Sequence, residues 1–176
     1  MHVLILHLKR TKFIIPLALF LCGVHLGGKE MLGFQLDNAV IDVEQIRRGG
    51  PMPDGIPSID KPRFTAARRV NYLQDSDMVI GYTANNVTRA YPLRILIWHE
   101  IVNDTVGGRP VAIVYCPLCG TAMVFDRTYG KETLTFGVSG LLYQSDVLMF
   151  DRETKSLWSQ LGIHSVAGDY AGTELS

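Results

Sequence analysis

The segment Met123-Val-Phe-Asp-Arg127 recurs as Leu148-Met-Phe-Asp-Arg152, and this echo constrains the fold more than any other feature of the chain. Each copy is an apolar, β-favouring run that ends in an Asp-Arg pair and a polar turn. A second strand-like run follows each, Thr133–Val138 and Ser156–Ser159. Aspartate at such a position caps a turn by accepting hydrogen bonds from nearby amides. Two successive hairpins of similar build predict a meander or a small barrel-like sheet. The repeat occurs twice only, which excludes a solenoid.

The upstream punctuation agrees. Met78–Tyr82 and Thr88–Tyr91 flank Asn85-Asn86, a hairpin signal. Pro92 suits the first position of a helix, and Leu93–Val102 reads as one short helix, apolar apart from Arg94, His99 and Glu100. Gly107-Gly108 then turns the chain into a strand over Val111–Tyr115. Residues 49–57 hold three prolines and three glycines and read as loop. Trp98 and Trp158 are expected in the core, and Ser139 in a turn. The expected class is therefore α+β, β-rich, with a meander or small barrel-like sheet and short helices. Residues 29–176 are expected to form one β-rich domain. The last residues, 172–176, contain no clear final element, the expectation being a domain cut short.

Residues 1–28 read as a signal peptide or an N-terminal membrane anchor. Lys9, Arg10 and Lys12 precede an almost wholly apolar run, Phe13–Val24, followed by Gly27-Gly28. That run is short for a transmembrane helix. Either reading puts the rest of the chain outside the cytoplasm, exported or membrane-anchored and facing outwards. Leu21 before Cys22 stands where a lipoprotein signal requires a small residue. Lysine plus arginine and aspartate plus glutamate number 17 each, for zero net charge. Nucleic acid is thereby disfavoured as a partner, since phosphate binding wants a basic excess. A small ligand or a protein remains open.

With Cys22 set aside, the domain carries two cysteines, both in Tyr115-Cys-Pro-Leu-Cys-Gly-Thr-Ala122. C-x-x-C spacing lets two sulfurs face one point, where they share a metal, close a disulfide or exchange electrons. The glycine after Cys119 permits a left-handed turn. A closed zinc site needs four ligands. His99, on the segment before the cysteine strand, is the best third ligand, ahead of His164 and Asp126. Zinc, copper or iron suits such donors, with Met123 or Met149 as a weak thioether for copper. A thioredoxin-like helix cannot begin at Cys119, because a β-like run follows at Ala122–Phe125. The functional expectation is an extracytoplasmic metal-binding or thiol-redox protein centred on Cys116, Cys119 and His99. The alternative is a non-catalytic binding module stapled by a Cys116–Cys119 disulfide. Phosphate-binding glycine motifs and a Ser-His-Asp set are absent from the sequence.

The runs Tyr91–Asp104, Tyr115–Ala122, Phe125–Arg127, Leu134–Gly140 and Ser156–Gln160 together resemble a widespread prokaryotic family, the domain of unknown function 3179. The likeness covers roughly residues 50–172. It implies an exported or membrane-attached protein and members that continue beyond residue 176. It implies no reaction.

Overall fold

The computed structural model describes residues 2–5 and 28–176. The basic cluster and apolar run expected to direct export, and Cys22, lie outside the described residues. In chain order the strands are β1 (His2–Ile5), β2 (Glu30–Met31), β3 (Phe34–Gln35), β4 (Ile46–Arg48), β5 (Arg63–Ala66), β6 (Val79–Ala84), β7 (Val87–Pro92), β8 (Ile101–Val106), β9 (Arg109–Cys116), β10 (Thr121–Asp126), β11 (Thr128–Tyr129), β12 (Glu132–Thr133), β13 (Phe136–Tyr143), β14 (Asp146–Asp151), β15 (Leu157–Ser159) and β16 (His164–Ala167). One α-helical turn, α1 (Leu93–Leu96), lies between β7 and β8. Among the described residues no helix is long and apolar enough to cross a membrane.

The β-rich class holds, but the barrel does not form. The strands sort into several sheets, of which three matter: β5-β1-β7-β6, β10-β9-β8 and β16-β15-β14-β13-β4. Alternation along the strands explains the layering. In β9, Val111 and Ile113 enter a core shared with Tyr91 and Leu96, while Ala112, Val114 and Cys116 enter a second core. In β14, Val147 and Met149 join that second core, while Leu148 and Phe150 face a third, built with Phe34 and Leu36. The β9 and β14 sheets thus press together through one shared apolar layer. Each also has its opposite face covered. The two sheets stay separate on either side of that layer and do not close on one another.

Around Asn85-Asn86 the hairpin forms as β6 and β7. Both asparagines have positive φ, as a tight two-residue turn demands. The helix expected over Leu93–Val102 shrinks to Leu93–Leu96, because Ile101–Val106 pairs with β9 along its whole length. A β-branched segment with a pairing partner gains more as a strand than as a further helical turn. Trp98 lies past the end of that single turn and is 72% exposed, whereas Trp158 is fully buried.

The two Asp-Arg copies part company. In the second, β14 and β15 pair directly around the turn that Asp151 caps. In the first, β10 pairs backward with β9, and only a small ribbon, β11–β12, follows. Arg127 is buried and donates to the carbonyls of Val111, Asp104 and Leu134. Arg152 instead forms ion pairs with Asp54 and Asp60 of the Pro/Gly-rich loop. Ser139 is no turn residue. It is buried within β13 at a break in register, donating to the Leu148 carbonyl. The neighbouring Gly140 adopts φ +78°, and a Cβ there would lie 2.0 Å from the Pro51 carbonyl oxygen. The loop can cross β13 this closely only over a glycine. Gly49 and Gly50 donate amides to the Gly140 carbonyl. Arg152 and Gly140 therefore hold the 49–60 loop down beside the end of β9.

Candidate functional site

The β9–β10 hairpin turns at Pro117–Gly120, with Cys116 opposite Thr121 across the ladder. Gly120 is left-handed, φ +69°, and its amide donates to the Cys116 carbonyl at 2.8 Å. That closes the turn and returns Cys119 over the end of β9. Cys116 is buried, Cys119 is exposed, and both are free thiols rather than a disulfide.

Asp146, the first residue of β14, meets them. One donor atom from each of Cys116, Cys119 and Asp146 falls in a group whose members all lie within 4.8 Å of one another. Cys119 Sγ stands 3.2 Å from Asp146 Oδ1 and 2.9 Å from Thr121 Oγ1. The other carboxylate oxygen of Asp146 accepts the Leu161 amide at 2.9 Å. Thr121 is held by its hydroxyl donating to Gln160 Oε1 at 2.9 Å, and Gln160 is itself fully buried. The thiols and carboxylate are thus fixed by three segments: the hairpin turn, the start of β14 and the residues after β15.

The Cys116 thiol is pushed up to about 11, first by burial and then by its hydrogen bond with Cys119. Left alone at neutral pH it keeps its proton. Two thiolates and a carboxylate this close would repel one another strongly. A cation placed among them reverses that balance, since metal binding displaces the thiol protons.

Beside Cys116 lies a narrow crevice of about 30 Å³, lined also by Ile56, Glu100, Pro117, Gly140 and Val147. Glu100 is 8% exposed, and burial raises its carboxyl above the ordinary glutamate range. It adopts φ +56° at the exit from α1, its amide donating to Leu96 and its carbonyl accepting the Tyr115 amide. Glycine or asparagine is the usual occupant of such a position; a residue with a longer side chain costs about 1 kcal/mol.

His99 is not one of the three donors of the sulfur–carboxylate group. It is half-buried, and its Nδ1 donates to the Pro57 carbonyl at 2.6 Å, tying the loop to the end of α1. His164 Nδ1 donates to the Gly162 carbonyl. Asp126 caps the Thr128 amide at the far end of β10, and Met149 is core. The structure therefore brings Cys116 and Cys119 together with Asp146, which sequence reasoning passed over. Its only signal is an aspartate directly after the Gln144-Ser145 turn, a pattern that ordinary turn chemistry also produces.

These features define a β-rich, layered domain with a thiol–carboxylate corner at the end of its middle sheet. The model of the family described as protein of unknown function, DUF3179, matches residues 53–176, and the chain belongs to that family. No curated protein and no solved structure matches the chain.

Proposed function

We propose that the protein binds a transition-metal cation outside the cytoplasm through Cys116, Cys119 and Asp146. The observation that carries this reading is the group of three donor atoms lying within 4.8 Å of one another. Around one zinc ion the sulfur ligands stand about 3.8 Å apart, given a zinc–sulfur bond of about 2.3 Å and tetrahedral angles. A contraction of about 1 Å at most converts the group into a coordination shell. Two soft sulfurs and one hard oxygen match a borderline cation, zinc first, with copper or iron as alternatives. Support from Thr121 and Gln160 is of the kind that orients metal ligands. The charged and apolar order of residues 9–24 supports export.

The test is a titration of the purified, reduced chain with zinc against a chelator of known affinity. One equivalent should bind, with release of protons. Cys119→Ser should weaken binding about 100-fold or more. Zinc binding that is weak and unchanged by Cys119→Ser would defeat the reading. A second reading, thiol exchange, draws on the contrast between exposed Cys119 and buried Cys116. The upward push on Cys116 makes it a poor attacking thiol, because reactive cysteines have lowered values. Stoichiometric disulfide formation in a glutathione buffer, without metal affinity, would favour that second reading.

A further inference from the structure

The three donors leave a tetrahedral ion one ligand short, and one feature of the neighbouring crevice has no structural purpose of its own. Glu100 is more than nine-tenths buried, yet its carboxyl makes no hydrogen bond or ion pair with any described residue. Carboxyl groups on residues this buried are ordinarily paired, protonated or bound to a metal. Among the described residues no fully buried side-chain polar atom lacks a partner. The unpaired Glu100 oxygens therefore keep some accessible surface, and Glu100, which lies outside the three-donor group, lines a crevice together with Cys116. The backbone there is left-handed, a conformation that a glycine would adopt without strain. Strained backbone that carries an unpartnered carboxyl group is a mark of function.

We propose that Glu100 is the fourth ligand, its carboxylate swinging across the crevice to the ion held by Cys116, Cys119 and Asp146. This rests on the metal-binding reading above. The crevice, about 30 Å³, gives the carboxylate room to move and is too small for an organic ligand. Glu100 follows α1 and is tied through its carbonyl to Tyr115, the residue before Cys116. Its Cα therefore keeps a fixed distance from the thiol while its side chain rotates. The ion would then be held by four protein groups from four segments: the exit of α1, the end of β9, the hairpin turn and the start of β14. A shell closed in this way, with no position left for water, suits a structural or storage role rather than metal-assisted hydrolysis.

Cobalt(II), added to the full reduced chain, reports both coordination number and sulfur ligation. The wild-type protein should give the intense visible bands of a four-coordinate ion together with near-ultraviolet thiolate-to-cobalt bands. Glu100→Gln should keep the thiolate bands, lose most of the visible intensity as water enters, and weaken affinity about 10- to 100-fold. Glu100→Asp, which keeps the charge and shortens the reach, provides the second arm and should behave in the same direction. Far-UV circular dichroism checks that each variant is folded. Visible bands and affinity unchanged in both folded variants would overturn the assignment of Glu100 and leave the three-donor site standing. Absence of any thiolate–cobalt band in the wild-type protein would overturn the metal reading and the fourth ligand with it.

Discussion

Asp146 and Asp151 stand at opposite ends of β14, and both are buried. Their partners differ in kind. Asp151 accepts from the Thr154 amide and hydroxyl and from the indole N–H of Trp158, at 2.6 to 2.8 Å. Neutral donors fixed in place satisfy both of its oxygens. The indole it anchors packs on Tyr129, Phe136 and Tyr170. Asp146 accepts one amide and faces a thiol, with a second thiol close behind. A thiol is a weak donor that becomes an anion on losing its proton, so this end of the strand is satisfied only conditionally. Burial of a carboxylate therefore says little about its role. Whether its partners can change charge says a great deal.

The largest effect should fall at the structural end. Asp151→Ala leaves the Trp158 N–H and two Thr154 donors unpaired and should destabilise the fold by about 3 kcal/mol. In a domain of this size that lowers the thermal midpoint by about 10 °C, measured by calorimetry. A midpoint unmoved by the substitution would break the contrast from this side. Asp146→Asn is the converse. It keeps the Leu161 contact and should change the stability by less than about 1 kcal/mol, the effect of an ordinary mild substitution. Zinc affinity should fall about 100-fold, equivalent to about 2.7 kcal/mol. If the stability losses of Asp146→Asn and Asp151→Ala prove equal, both aspartates are structural.

The smallest effect sharpens the structural end through pH. Burial, and then the charge of Asp126, push the Tyr129 hydroxyl up to about 12. An unfolded tyrosine ionises near 10, so the unfolded chain gives up this proton first. The stability associated with the neutral phenol is complete below about pH 10 and drains away as pH rises towards 12. Tyr129→Phe should flatten that alkaline decline in urea midpoints between pH 9 and 11 while leaving zinc affinity at neutral pH unchanged. An identical decline in wild type and variant would remove Tyr129 as the cause.

Much of the fold was legible locally. Asn85-Asn86, Gly107-Gly108 and Gly120 mark turns because their residue types tolerate the backbone angles those turns need. The alternating apolar residues of β9 and β14 announce strands because side chains on a strand alternate between faces. The Leu93–Val102 segment misled, since its helical pattern describes only the intrinsic preference of the segment. The pairing of Ile101–Val106 with β9 overrides that preference. Arg127 and Arg152 follow the same Phe-Asp pair and look alike in sequence. One fills a pocket of carbonyls, and the other reaches across to a loop whose position no local rule predicts.

The site divides along the same line. The C-x-x-C turn is a local object, and four residues with one glycine suffice to bring two sulfurs to one end of a hairpin. The carboxylates are not local. Asp146 arrives because the β14 sheet packs face to face on the β9 sheet through Val114, Cys116, Val147 and Met149. Glu100 arrives because β8 pairs with β9 and carries the exit of α1 to the crevice. The sequence by itself determined the thiol pair and the strands that hold it, since turn chemistry and side-chain alternation act over a few residues. Only the tertiary structure decided which carboxylates meet the thiols. That choice depends on sheet register and on which apolar faces find each other, and both are set by contacts between segments far apart in the chain.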